Sequence, residues 1–120
     1  MVNTTAFLNI IKGDIRDAVI AAGTHLAVGT NNTAPTVADT TLAAEEERNA
    51  RQEYTEGTSD VVLSLFVAST EANGVDLKEV GVFDAGAAGN MMMRDTFTTI
   101  SKTAAIEVWI DVEQQIDVKQ

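Results

Sequence analysis

The sequence predicts an α+β fold that is mainly antiparallel β: a sandwich-like sheet with one N-terminal amphipathic helix packed on it. Three observations carry this reading. Apolar residues at three- and four-residue steps stand out in the first 22 positions. Several later segments alternate at period two, and clusters of Gly, Asn and Pro separate them. No linker or internal repeat interrupts the 120 residues, so 1–120 reads as one domain, with a helix over 4–22 and a β-rich body over 25–118.

In the helix, Leu8, Ile11, Ile15, Val19 and Ala22 line one face, and Phe7 and Ala18 widen it. Asn9, Lys12, Arg16 and Asp17 lie mostly off that face. Thr4 or Thr5 suits the N-cap, and Gly23 stands where a left-handed residue ends a helix. Gly13 costs about 1 kcal/mol relative to Ala in a helix interior, so local propensity alone does not secure it. A single apolar stripe implies docking, by default on the chain's own sheet and alternatively on a neighbouring subunit.

His25 to Thr30 reads as a strand. Asn31 to Thr36, with the only proline, is a turn cluster, and Thr36 to Leu42 suggests one short helical turn. Arg48 to Tyr54 fits either a helix or a solvated strand. In 60–68, Val61, Leu63, Leu65 and Val67 alternate with Val62, Ser64, Phe66 and Ala68. Apolar residues on both sides mark a central strand. Asn73-Gly74 is a strong hairpin signal, with the return strand over Val75 to Phe83. That strand places Leu77, Glu79, Gly81 and Phe83 on one face and Lys78, Val80 and Val82 on the other. Asp84 to Asn90 is a glycine-rich connector, and Met91 to Ile100 is strand-like. Ser101-Lys102-Thr103 reads as a turn. Ala105 to Val118 alternates most cleanly, with Ile106, Val108, Ile110 and Val112 opposite Glu107, Trp109, Asp111 and Glu113.

Composition narrows the function classes. Eighteen acids against eight bases give a formal net charge of −10. That field repels nucleic-acid phosphate and an anionic membrane surface, so neither is expected as a partner. The balance, with only four lysines, also suits a saline environment. Hydrophobic residues at 45% exclude a disordered chain, yet no apolar run approaches the ~20 residues of a membrane span. The first residues lack a basic region and a long apolar core, so no secretory signal is expected. Without cysteine there is neither a disulfide nor a thiolate metal site.

The candidate sites each have a plainer alternative. His25 is the only histidine, and no nucleophile motif accompanies it, which favours an edge residue over a catalyst. Glu45-Glu46-Glu47 supplies oxygens for a hard cation, but three adjacent acids do not converge on one ion. Asp84 suits an Asx-type turn better than a metal. Glu107, Asp111 and Glu113 around Trp109 have the residue types of a sugar site, at the spacing of any half-exposed strand. Trp109 also suits an intersubunit anchor. Gly86 and Gly89 lack the Lys-Ser/Thr of a phosphate loop. Met91-Met92-Met93 offers core filling or a contact surface. No cofactor, metal or catalytic residue is expected, and elimination leaves a structural or binding role.

The order of these motifs resembles a family. His25-Leu26-Ala27-Val28-Gly29-Thr30 precedes Thr33-Ala34-Pro35-Thr36 and Ala38-Asp39-Thr40-Thr41-Leu42, then acids and Arg48. Glu71-Ala72-Asn73-Gly74, Lys78-Glu79-Val80-Gly81-Val82-Phe83-Asp84, Gly89-Asn90-Met91-Met92, Phe97 and Ser101-Lys102-Thr103 follow. This succession is similar to the N-terminal attachment domain of tail-collar and tail-fibre proteins of tailed bacteriophages, and to small stand-alone tail proteins that share it. The resemblance covers roughly 25 to 118, and E-x-G-x-F-D is its sharpest element. It implies a structural protein located in the virion tail, collar or neck and assembled in the host cytoplasm. It further implies a homo-oligomer, a trimer foremost, seated on other virion proteins. No shaft or receptor-binding tip is expected beyond Gln120. The interface residues expected on this basis are Leu8, Ile11, Ile15, Val80, Gly81, Phe83, Met92 and Trp109. A small carbohydrate- or peptide-binding module and a capsid or neck decoration protein are the alternative readings.

Overall fold

Alternation and turn chemistry place one helix and seven strands along the chain in the computed structural model, which describes residues 1–118. They are α1 (Thr5–Ala22), β1 (His25–Gly29), β2 (Glu45–Ala50), β3 (Glu53–Glu56), β4 (Asp60–Val67), β5 (Val75–Phe83), β6 (Met91–Lys102) and β7 (Val108–Gln115). The fold is α+β and mainly β. Two antiparallel sheets have strand orders β2-β1-β5-β6 and β3-β4-β7. The chain changes sheet three times, after β2, β4 and β6.

The core lies between the sheets. Leu26 and Val28 of β1, Val61, Leu63, Leu65 and Val67 of β4, Leu77 and Val82 of β5, and Val108 of β7 form it. β4 is the central strand of its sheet, as its apolar run predicts. Leu77 and Val82 have opposite parity on β5, yet both join this core. The β5–β6 register breaks between Leu77 and Glu79 and lets them do so.

The structure corrects several local expectations. β4 and β5 do not form a hairpin. The positive φ angles fall on Ala72 (52°) and Gly74 (83°), where a two-residue Asn-Gly turn needs them on both central residues. The segment therefore opens into a corner between sheets. Glu71 braces it by accepting from the Ala68 N–H (2.8 Å) and the Asn49 side-chain amide (3.2 Å). Thr36 to Leu42 forms only a hydrogen-bonded turn closed by Thr36 and Asp39. The 48–54 segment is strand, with Arg51 and Gln52 at the sheet change. Ser101 and Lys102 complete β6, and Ile106 and Glu107 precede β7.

Thr4 caps α1 by accepting from the Phe7 N–H at 3.3 Å. Gly23 ends it with φ −83°, not in the left-handed region. Its glycine serves space instead, because a Cβ there would sit 2.7 Å from Leu63 Cδ1. The orphan carbonyls of Ile20 and Gly23 are taken by Arg51 Nη1 at 2.6 and 2.9 Å, a cation at the negative end of the helix. Among the described residues, no helix is long and apolar enough to cross a membrane. The described body is elongated, 57 × 27 × 25 Å.

Candidate interaction surface

Buried polar residues fix what remains exposed. Glu79 of β5 has 0% exposure. Its carboxylate accepts from the backbone N–H groups of Asn31, Ala43 and Ala44 at 3.0–3.1 Å, and from Arg94 Nε at 3.1 Å. Arg94 of β6 also donates Nη1 to the Thr33 carbonyl (2.9 Å) and to Asp39 (3.1 Å). This pair straps the β1–β2 loop across the outer side of its sheet. Thr36 hydrogen bonds, backbone first and then hydroxyl, hold the Asp39 carboxyl below its ordinary range, and Arg94 adds to this. Under the strap, Leu42 packs with Ala27, Phe83 and Met91.

Three expected interface residues therefore lie inside the chain's own fold. Val80, Gly81 and Phe83 are buried. The close approach read into Gly81 is internal, since a Cβ would meet Leu42 Cδ2 at 2.9 Å and the Phe83 ring at 3.0 Å. Arg48 covers the Phe83 ring from 3.6 Å and donates to the Ala85 and Ala88 carbonyls, which pins the glycine-rich connector. Asp84 closes that connector by accepting from the Asn90 backbone and side chain, and both bonds hold its carboxyl below the usual range. Each lettered residue of the E-x-G-x-F-D run thus has a structural task. Sequence periodicity did not show Glu79 and Arg94 as a pair. An acid on the same strand face as Leu77 and Phe83 was the available signal.

The remaining candidates are more exposed. His25 Nδ1 lies 2.9 Å from the Thr24 hydroxyl. Glu45 pairs with Arg48, whose Nη2 lies 2.6 Å from its carboxylate. Glu47 faces Glu71; burial, then the charge and hydrogen bond of Glu71, push its carboxyl above the ordinary value. Among the described residues, no three His, Cys, Asp or Glu side chains are grouped to hold a metal. Trp109 is 55% exposed on the outer side of β7 and packs on Phe66 with ring centroids 5.0 Å apart. Beside it, Asp111 accepts from the Ser64 hydroxyl at 2.6 Å. Glu113 lies farther along β7, and Glu107 precedes the strand. A groove of 730 Å³ runs between β6 and β7 past Phe97, Ile100, Trp109 and Val112. Met92 is exposed on β6, while Met91 packs beneath the strap.

The helix supplies the least expected geometry. Lys12 Nζ donates to the Ser59 hydroxyl (3.1 Å) and Arg16 Nη1 to the Thr58 carbonyl (2.6 Å). Of the helix residues, Val19 and Ile20 pack against the core. These four side chains share one side, so α1 rests on the body through two cationic and two aliphatic side chains. The predicted stripe does not lie flat on the sheet; of its five residues, only Val19 reaches the core. Phe7 (49%), Ile10 (62%) and Ile15 (38%) are exposed, Leu8 and Ile11 are half-buried, and no helix residue is fully buried. No protein-family model and no curated protein matches the chain.

Proposed function

We propose that this chain is a structural protein of a tailed virus, a tail, collar or fibre-attachment component that works by oligomeric assembly on the virion. One observation carries the assembly role: α1 is fixed to a braced sandwich while Phe7, Ile10 and Ile15 stay exposed. Apolar surface held out by a rigid body is surface for another protein. The viral setting rests on the motif order from His25 to Thr103. The test is quantitative proteomics of purified particles of the source virus, followed by antibody labelling. A fixed copy number per particle at the tail, collar or neck is expected. Absence from intact particles would remove the virion role.

The groove beside Trp109 favours a second reading, a small carbohydrate- or peptide-binding module. Saturable quenching of Trp109 fluorescence by an oligosaccharide or peptide, abolished by Trp109→Ala, would support it. A flat titration across a glycan and peptide panel would discard it.

A further inference from the structure

We propose that the free edge of β7, with the groove between β6 and β7, takes one added β-strand: an extended segment of another protein in which basic and apolar residues alternate. This deepens the second reading above and rests on it in taking the groove as a binding site.

Backbone geometry picks the edge. β6 and β7 each end a sheet, and the groove of 730 Å³ separates them. β7 pairs with β4 in one unbroken antiparallel register. The Ile116 N–H donates to the Ser59 carbonyl (2.7 Å), the directly opposed residue in that register. Hydrogen-bonded pairs recur at every second residue, so Val108, Ile110, Val112 and Gln114 turn their backbone groups to β4. The Ser64 carbonyl fits this parity, since it points to the other side of β4 and accepts from the Gln52 N–H at 2.9 Å. The N–H and C=O groups of Trp109, Asp111 and Glu113 accordingly point to the open edge. β6 offers no such edge beside the groove, because Phe97, Thr98 and Thr99 bulge opposite Lys78 alone. It serves as the far wall.

Side chains select the occupant. The inward residues of an added strand meet Phe97, Ile100, Ile110 and Val112, which line the groove and are only half-buried against the core. Apolar side chains cover them. The outward residues stand opposite Trp109, Asp111 and Glu113, all exposed. Asp95 adds a carboxylate on the inner wall, since it pairs with Val80 and so shares the side of Val82. Asp95, Asp111 and Glu113 line the groove without a Lys, Arg or His. Lysine or arginine opposite these acids gains attraction, and over Trp109 a cation–π contact. The same rule rejects a second copy. Its β7 would set acid against acid, on a chain of net charge −10. The groove follows β7 from Trp109 to Glu113, about 17 Å of strand, so a short extended segment spans it.

Trp109 is the only tryptophan, so its fluorescence reports this site. The probe is a capped peptide of alternating lysine and valine. It should change Trp109 emission saturably, and added salt should weaken the binding. A glutamate–valine peptide should give no change. The lysine backbone nitrogens face β7 in the proposed pairing, so methylating them should abolish binding. Methylating the valine nitrogens, which face away, should leave it. Asp111→Asn with Glu113→Gln should weaken binding about three- to tenfold. Glu113→Pro removes one outward N–H and no bond to β4, so it should bind more weakly than Glu113→Gln with unchanged circular dichroism. If that variant misfolds, the methylated peptides carry the same test. No response to the lysine–valine peptide, equal binding of the glutamate–valine peptide, or indifference to lysine methylation would each overturn the proposal. Quenching by an oligosaccharide alone removes the added strand and keeps the binding-module reading. A flat response to every peptide and glycan removes both.

Discussion

A carboxylate with no exposure, facing three backbone N–H groups and one guanidinium, tolerates little change. Replacing Glu79 with Gln turns an acceptor-only group into one that also presents donors to donors, and leaves the buried Arg94 with only the more exposed Asp39 as its charge partner. The expected loss is about 3–5 kcal/mol, read as a lower urea midpoint. A loss under about 1 kcal/mol would mean that the strap is not a buried ion-pair site. The acids also set opposite pH trends. The Glu47 carboxyl is raised, so its contribution is fully present below its ordinary pKa and is lost as pH rises through the raised value. Glu47→Gln should therefore raise the melting temperature at pH 7, with a smaller gain at pH 4. The Asp39 carboxyl is lowered, so its contribution holds above its ordinary pKa and fades as pH falls through the lowered value. Asp39→Asn should be less stable than wild type at pH 7, with the gap closing in strong acid. The partners of Glu79 and Glu47 were illegible in the sequence, because Glu79 meets backbone N–H groups 35 to 48 positions away and Arg94 across 15, and Glu47 meets Glu71 across 24. Periodicity reports only local neighbours.

At the scale of elements, alternation exposed the strands but not their partners. The period-two run of β7 marks its facing side correctly, since Val108, Ile110 and Val112 do meet the core. The Asn73-Gly74 signal misled because dipeptide preference names a turn, while the φ angles at Ala72 and Gly74 decide its shape. The helix stripe was legible, but its orientation was not: Lys12, Arg16 and Arg51 dock α1 through hydrogen bonds that hydropathy does not register. Calorimetry on dilute protein can separate the two sides. Ile20→Ala should cost about 1–2 kcal/mol because Ile20 packs on the core, and Ile15→Ala less than about 0.5 kcal/mol. Gly13→Ala has room, its Cβ meeting nothing closer than Arg16 at 3.6 Å, and should stabilise the helix by about 0.5–1 kcal/mol.

For the whole molecule, shape and charge act together. A body 57 Å long with a net charge of −10 keeps copies apart except where apolar, charge-balanced surface faces out. Added salt screens the repulsion and should strengthen self-association, the reverse of an interface held by ion pairs. Composition sets the charge, and with it the expectation that phosphate-rich partners are repelled. The E-x-G-x-F-D motif suggests a contact between copies, yet its Gly81 and Phe83 are internal packing. Amide hydrogen exchange, compared between dilute and concentrated protein, addresses the central claim that α1 is the assembling surface. The α1 amides should slow markedly on concentration, while those of Asn31, Ala43 and Ala44 bound to Glu79 stay unchanged. Equal exchange of α1 at both concentrations, in a sample shown to be associated, would contradict the account.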